Sequence, residues 1–99
     1  MREIELYNIQ LMDLELFLSI AKYGNFTKAG EKMHMTQSWV SKRINLLETE
    51  LGLPLFIRNK RSLTLTPAGK ILVERLTHIT DDIRDALQEA HNAQKGTSG

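Results

Sequence analysis

The stretch GNFTKAGEKMHMTQSWVSKRINLLETELGL, from Gly24 to Leu53, decides the fold, because it reads as two short helices joined by a tight turn. Thr36 is a favourable N-cap residue ahead of a periodic segment, and Gly52 is the residue type that ends a helix in the left-handed conformation. Between them Val40, Ile44, Leu47 and Leu51 recur at helical spacing and share one narrow apolar face. Opposite lie Ser38, Lys42, Asn45 and Thr49, with Ser41 beside them and Gln37 on the first turn. That face carries hydrogen-bonding groups and a cation. The preceding helix has Asn25 as its N-cap and sets Phe26, Ala29, Gly30 and Met33 on one side, where the small residues permit close approach. His34 and Met35 leave room only for a short turn, which is the spacing of a helix-turn-helix.

A helix of this width fits the major groove of B-DNA, whose base edges present a distinguishable donor and acceptor pattern. Gln37 can pair bidentately with adenine, Lys42 can donate to guanine, and Ser38 and Ser41 can serve base or phosphate. Asn45, on the same face, is a further residue expected in the major groove.

FTKAGEKMHMTQSWVSKRINLLETELGLPLF, followed by RNKRSLTLTPAG, resembles the amino-terminal DNA-binding domain of LysR-type transcriptional regulators, over about residues 12–87. The resemblance implies a mainly α winged helix-turn-helix: three helices and a two-stranded wing, followed by a long linker helix that dimerises antiparallel. Carried over position by position, it implies base or groove contacts for Gln37, Ser38, Ser41 and Lys42, and phosphate contacts for Thr27, Lys28 and Thr36. Arg58 and Arg61 match basic positions of the family's wing, with Arg61 the one sent into the minor groove. Two positions depart from the family pattern. Ser38-Trp39 stands where proline or a small residue is common, and the helix wheel puts Trp39 on a flank beside Arg43 and Leu46, where packing on the second helix or the end of the first is favoured over contact with a thymine methyl or a sugar. Gly30 replaces the usual alanine, at a cost of ~1 kcal/mol in helix propensity.

The rest of the chain fits around this centre. Residues 1–11 form an extension that either frays or lengthens the first helix. From Asp13, the residues Leu14, Phe17, Leu18 and Ala21 form the apolar face of an amphipathic helix stopped by Gly24. After Gly52, Pro54 forbids continued helix. Leu53 to Ile57 and Leu63 to Leu65 read as two short strands, with Asn59-Lys60-Arg61-Ser62 as a polar, basic tip. Alternation turns Leu63 and Leu65 inward and Thr64 outward. The helix-turn-helix and wing together occupy 12–66.

Thr66-Pro67 is a helix start, an N-cap threonine followed by proline at the first helical position. The helix that follows, over 67–94, spaces Leu72, Leu76, Ile79, Ile83, Ala86 and Ala90 by four and three. This heptad seam would protrude from so small a core, and a second copy of the same helix would cover it, making a homodimer. Residues 95–99 are Gly/Ser-rich and read as a flexible tail.

Composition sets the outer limits. With 99 residues, 41% of them hydrophobic, the chain forms one small domain with a modest core. Net charge is only +1, but residues 27–70 hold eight basic residues, Lys28, Lys32, Lys42, Arg43, Arg58, Lys60, Arg61 and Lys70, against Glu31, Glu48 and Glu50. A basic centre between acidic ends is a localised anion-binding surface. The absence of cysteine excludes disulfides and thiolate metal sites and fits a reducing cytoplasm. No apolar run approaches the ~20 residues of a membrane span, and no secretory signal is present, so a soluble, non-exported, cytoplasmic protein is expected.

His34, His78 and His91 have no partners at metal-ligand spacing, and Ser41 has no histidine placed to activate it. Neither catalytic centre, metal nor cofactor is expected. The partners expected are double-stranded DNA and a second copy of the chain. A small-molecule inducer enters only through a further domain that 99 residues cannot hold, so the chain is either a DNA-binding fragment or a stand-alone regulator. The rival from another class is a winged-helix protein-interaction module that uses the long helix and touches no DNA. Such a module needs no basic wing, and Arg58, Lys60 and Arg61 cluster there.

Overall fold

The computed structural model describes residues 3–59 and 61–96. A 3-10 turn, Leu6–Asn8, precedes α1 (Leu11–Tyr23), α2 (Phe26–Lys32), α3 (Gln37–Leu51), β1 (Phe56–Arg58), β2 (Leu63–Leu65) and α4 (Pro67–Gly96). The helix boundaries follow from side-chain chemistry. Asn25 Oδ1 accepts from the Lys28 N–H at 2.9 Å, Thr36 Oγ1 from the Trp39 N–H at 3.2 Å, and Thr66 Oγ1 from the Gly69 N–H at 3.0 Å. Each satisfies an N–H that the first helical turn leaves without a backbone partner. Gly24 and Gly52 close α1 and α3 at φ +67° and +74°, where a Cβ would be strained.

The extension does not lengthen α1. Gln10 is extended, and its N–H donates back to Asp13 Oδ2 at 3.3 Å, so the helix starts at Leu11. Within α1 the buried side is displaced from the expected one: Leu16, Phe17 and Ile20 are fully buried, whereas Leu14, Leu18 and Ala21 are half-buried. The reason is that α1 packs against α2 and α3 and also against α4, so one narrow stripe cannot describe its buried surface.

The core joins these α1 residues to Ala29 of α2, Val40, Ile44 and Leu47 of α3, Leu55 and Phe56 at the start of the wing, and Leu76 of α4. The Phe56 ring lies 5.3 Å from that of Phe17 and 5.8 Å from that of Phe26, tilted or edge-on, which ties the wing to both helices. The strands pair antiparallel, Phe56 with Leu65, Ile57 with Thr64 and Arg58 with Leu63. Leu63 and Leu65 face inward and Thr64 outward, as alternation predicts. Leu53 to Leu55 stay outside the ladder; Leu55 is buried, and its carbonyl accepts from the Thr66 N–H at 3.0 Å.

The long helix holds two corrections. It runs to Gly96, so Lys95 and Gly96 form its last turn rather than a flexible tail, and residues 97–99 lie outside the described residues. The expected dimer seam also divides. Leu76 is only 6% exposed within the single chain, packed in its own core, and Leu72 is half-buried beside it. Neither is a free seam residue, because the first turns of α4 are needed to close the domain. Beyond Thr80, still buried at 4% exposure, the helix leaves the core: Ile83 is half-buried, Ala86 and Ala90 are exposed, and Leu87, outside the expected seam, is 66% exposed, while Ile79 already turns outward at 44%. Among the described residues, no helix is long and apolar enough to cross a membrane.

Candidate nucleic-acid interface

The amino-terminal half of α3 presents Gln37, Ser38, Lys42 and Asn45 as exposed side chains, with Ser41 half-buried between them. The first turn of α3 contains no acidic residue, so the positive end of its dipole is left for an external anion. Thr36, its cap, is exposed, and so are Thr27 and Lys28 on the first turn of α2. Beside this face a polar concavity of about 250 Å³ opens between Gln37 and Ser41 of α3, Phe26 of α2, and Arg58, Asn59 and Ser62 of the wing. The structure thus brings together, from three elements, residues far apart in the chain.

Asn59 builds the tip of the wing. Its Oδ1 accepts from the Arg61 N–H at 3.2 Å, the Ser62 N–H at 3.0 Å and the Ser62 hydroxyl at 2.8 Å, which folds the turn back on itself. Arg61 is exposed there, and Lys60, also expected to act from the tip, lies outside the described residues.

Arg58 and Asn45, expected to reach DNA independently, are tied to each other. Arg58 Nη2 donates to Asn45 Oδ1 at 3.2 Å and lies 3.4 Å from Glu48 Oε1, while its guanidinium sits 4.6 Å from the centre of the Phe26 ring. Arg58 is therefore a strut between wing and α3, and any contact it makes outward has to leave these partners satisfied.

Two structural groups behind this surface are not visible in the local pattern. Glu48 accepts from the Leu55 N–H at 2.7 Å and the Phe56 N–H at 3.3 Å, so it positions the wing from α3. Arg43 forms a two-pronged pair with Asp13, Nε to Oδ1 at 2.8 Å and Nη2 to Oδ2 at 2.7 Å, with the Asp13 side chain 3% exposed. The Asp13 hydrogen bond raises the Arg43 pKa above its ordinary value, against the opposing effect of partial burial. The only signal in the sequence for this pair is a carboxylate on the first turn of α1, where it also suits the helix dipole. Its partner, thirty positions away, follows from nothing local.

Trp39 differs from expectation. Its indole is 42% exposed and lies among cations, with Lys42 Nζ 5.7 Å and the Arg43 guanidinium 5.8 Å from the ring centre. Gly30 has a reason beyond propensity: a Cβ there would lie 2.7 Å from the Met35 carbonyl oxygen and 3.1 Å from Val40 Cγ2. The turn between α2 and α3 is that tight, with the Met35 N–H bonded to the Gly30 carbonyl at 2.7 Å and His34 at φ +59°. Among the described residues, no three His, Asp or Glu side chains gather to hold a metal.

Residues 11–70 match the model of a bacterial regulatory helix-turn-helix protein, lysR family. This chain belongs to the lysR family. The LysR-family match covers α1 through the start of α4, the elements that build the surface described above. The chain is 38% identical over 91 residues to an uncharacterized HTH-type transcriptional regulator in the ibpB-leuC intergenic region of Azotobacter vinelandii, covering 92% of this chain and 63% of that protein. It is 42% identical over 83 residues to the HTH-type transcriptional regulator YofA of Bacillus velezensis, covering 84% of this chain and 26% of that one. The chain thus spans less than two thirds of the length of these relatives. Among solved structures it resembles a CbnR DBD–DNA complex, with a TM-score of 0.79 and 26% identity over 86% of this chain and 98% of that one. It also resembles a BenM DBD/catB site 1 DNA complex, with a TM-score of 0.82 and 26% identity over 85% and 93% of the two chains. The LysR-family fold therefore agrees with the winged helix-turn-helix expected from the sequence. The family and the relatives carry the names of transcriptional regulators, not of enzymes.

Proposed function

We propose that this LysR-family chain binds double-stranded DNA sequence-specifically as a homodimer and so regulates transcription, acting in the cytoplasm. In this reading α3 enters the major groove, where Gln37, Ser38, Ser41 and Lys42 meet base edges and Asn45 flanks them through its tie to Arg58. Thr27, Lys28 and Thr36 hold phosphates, and Arg61, with Lys60 beside it, reaches from the wing toward the adjacent minor groove. The observation that carries the reading is the shared concavity, in which Gln37 and Ser41 stand opposite the wing residues Asn59 and Ser62. The DNA complexes of CbnR and BenM supply the analogy, and a protein-interaction module without DNA finds no comparable support. A small-molecule inducer belongs to this proposal only through an additional domain in a longer chain.

Base reading by Gln37 has a direct test. Gln37→Ala is expected to lose ~1 to 3 kcal/mol of discrimination at one base position of each half-site, with binding to random duplex nearly unchanged. Mobility-shift titrations on operator variants and on random DNA measure both quantities. Equal losses on the two would place Gln37 among backbone contacts and move base reading elsewhere on α3.

The homodimer is tested on the part of α4 that has left the core. Ile79→Glu combined with Leu87→Glu is expected to convert a sedimenting dimer into a folded monomer, since neither side chain belongs to the core of its own domain. Leu76 is unsuitable, because charge there would unfold the domain. A wild-type chain that sediments as a monomer at micromolar concentration refutes the dimer.

A further inference from the structure

Away from the concavity a second charged surface gathers around Tyr23. The ammonium groups of Lys22, Lys28 and Lys32 lie 5.5, 5.7 and 5.8 Å from the centre of its ring. They come from the last turn of α1 and from both ends of α2, so the fold, not the sequence, brings the three together. Among the described residues no carboxylate is ion-paired with any of them. Glu15, on the rim of the same hollow as Lys22 and Lys32, is held by Arg84 at 2.9 Å. Glu31, exposed on α2 three residues after Lys28, is ion-paired with none of these lysines among the described residues.

Three cations on one ring repel one another. Position at a helix end accounts for Lys22 and Lys32, which complement the negative ends of α1 and α2, but it works against Lys28 on the first turn of α2. The electron-rich face of Tyr23 offsets part of the repulsion. What the arrangement lacks is an anion.

We infer that Lys22 and Lys32 take backbone phosphates of DNA lying beyond the segment that faces α3 and the wing, with Lys28 joining them to the nearer contacts. This rests on the DNA-binding reading above. The site is continuous with that reading through Lys28, on the same helical turn as Thr27 and Phe26, and Phe26 lines the concavity. Yet the concavity and the hollow at Tyr23 have no lining residue in common, so the lysines extend the contact surface and do not duplicate it. The choice of side chain fits the role. Three ammonium groups are mobile point charges without the fork that reads a base or grips a carboxylate bidentately, and they suit a sequence-independent polyanion. A folded protein's acidic patch is the alternative occupant, and it has no such link to α3.

The test is the salt dependence of binding, followed by fluorescence anisotropy of labelled duplexes of generic sequence. On a duplex of several helical turns, Lys22→Ala/Lys32→Ala is expected to make the slope of log K against log salt shallower by about 2 per subunit, while Lys22→Arg/Lys32→Arg keeps the wild-type slope. On a duplex of about one turn, roughly 10 bp, which ends before the cluster, wild type and the double alanine variant are expected to have equal slopes. An unchanged melting temperature checks that the variant is folded, and Lys28 is left in place because it belongs to the nearer contact surface. Equal slopes on the long duplex overturn the inference and leave the cluster to an acidic protein surface. The same loss on both lengths also overturns it, by moving the lysines into the inner contacts. Absence of salt-dependent binding by wild type to either duplex is a different result: it removes the DNA-binding reading itself, and this inference with it.

Discussion

Arg43→Leu is expected to destabilise the domain by about 3 to 5 kcal/mol, the range found when one partner of a buried ion pair is removed. The cause is what remains. Asp13 is 2% exposed, and with the guanidinium gone its carboxylate keeps, among the described residues, only the Gln10 N–H at 3.3 Å. A buried charge with one long hydrogen bond is costly because neither water nor a counter-charge solvates it. The loss should appear in urea unfolding as a lower midpoint with an unchanged slope, and as a fall in melting temperature of roughly 15 °C or more. Removing both charges, Asp13→Leu with Arg43→Leu, should recover much of the loss, because an apolar pair carries no desolvation penalty. A loss below about 1 kcal/mol in Arg43→Leu would mean that Asp13 finds water in the folded state, contrary to its burial.

Gly69→Ala is expected to cost about 3 kcal/mol, although glycine to alanine inside a helix ordinarily gains up to ~1 kcal/mol. The sign reverses because a Cβ at 69 would lie 2.3 Å from the Leu55 carbonyl oxygen, 3.2 Å from its carbon and 3.0 Å from Leu65 Cδ2. Two of these atoms are backbone and cannot rotate away. They are also held: the Leu55 carbonyl accepts from the Thr66 N–H at 3.0 Å, and the Thr66 hydroxyl donates to the Pro54 carbonyl at 2.9 Å. A methyl group would push the start of α4 off the wing and break this junction. Gly96→Ala, with nothing within 4 Å of its Cβ, is the control and should be neutral or slightly stabilising. Equal midpoints for the two variants in urea would show that the junction yields without cost.

What was legible in the sequence is what local chemistry encodes. Asn25, Thr36 and Thr66 cap helices because their side-chain oxygens reach an N–H three residues on, and Gly24 and Gly52 end helices because only glycine takes that conformation without strain. The polar face of α3, the inward leucines of β2 and the basic wing follow from periodicity and composition in the same way. What was not legible depends on packing between distant segments. The hydrophobic spacing of α4 could not tell that Leu76 lies in the core while Leu87 lies outside it, since both satisfy helical periodicity and only the position of α1 separates them. For the same reason, Asp13 with Arg43, Glu48 with the N–H groups of Leu55 and Phe56, and the lysines at Tyr23 are invisible until the fold sets them side by side.

Arg58 has a mechanical consequence. It links β1 to Asn45 and Glu48 on α3, and Glu48 in turn grips the backbone where the wing begins. A hairpin of two three-residue strands would by itself be a supple appendage, free to follow whatever it touched. Braced at both its root and its first strand, it has a fixed stride relative to the helix beside it. On a duplex the interval between the two points of engagement is then dictated by the protein, and it is the double helix that must twist or narrow to meet it.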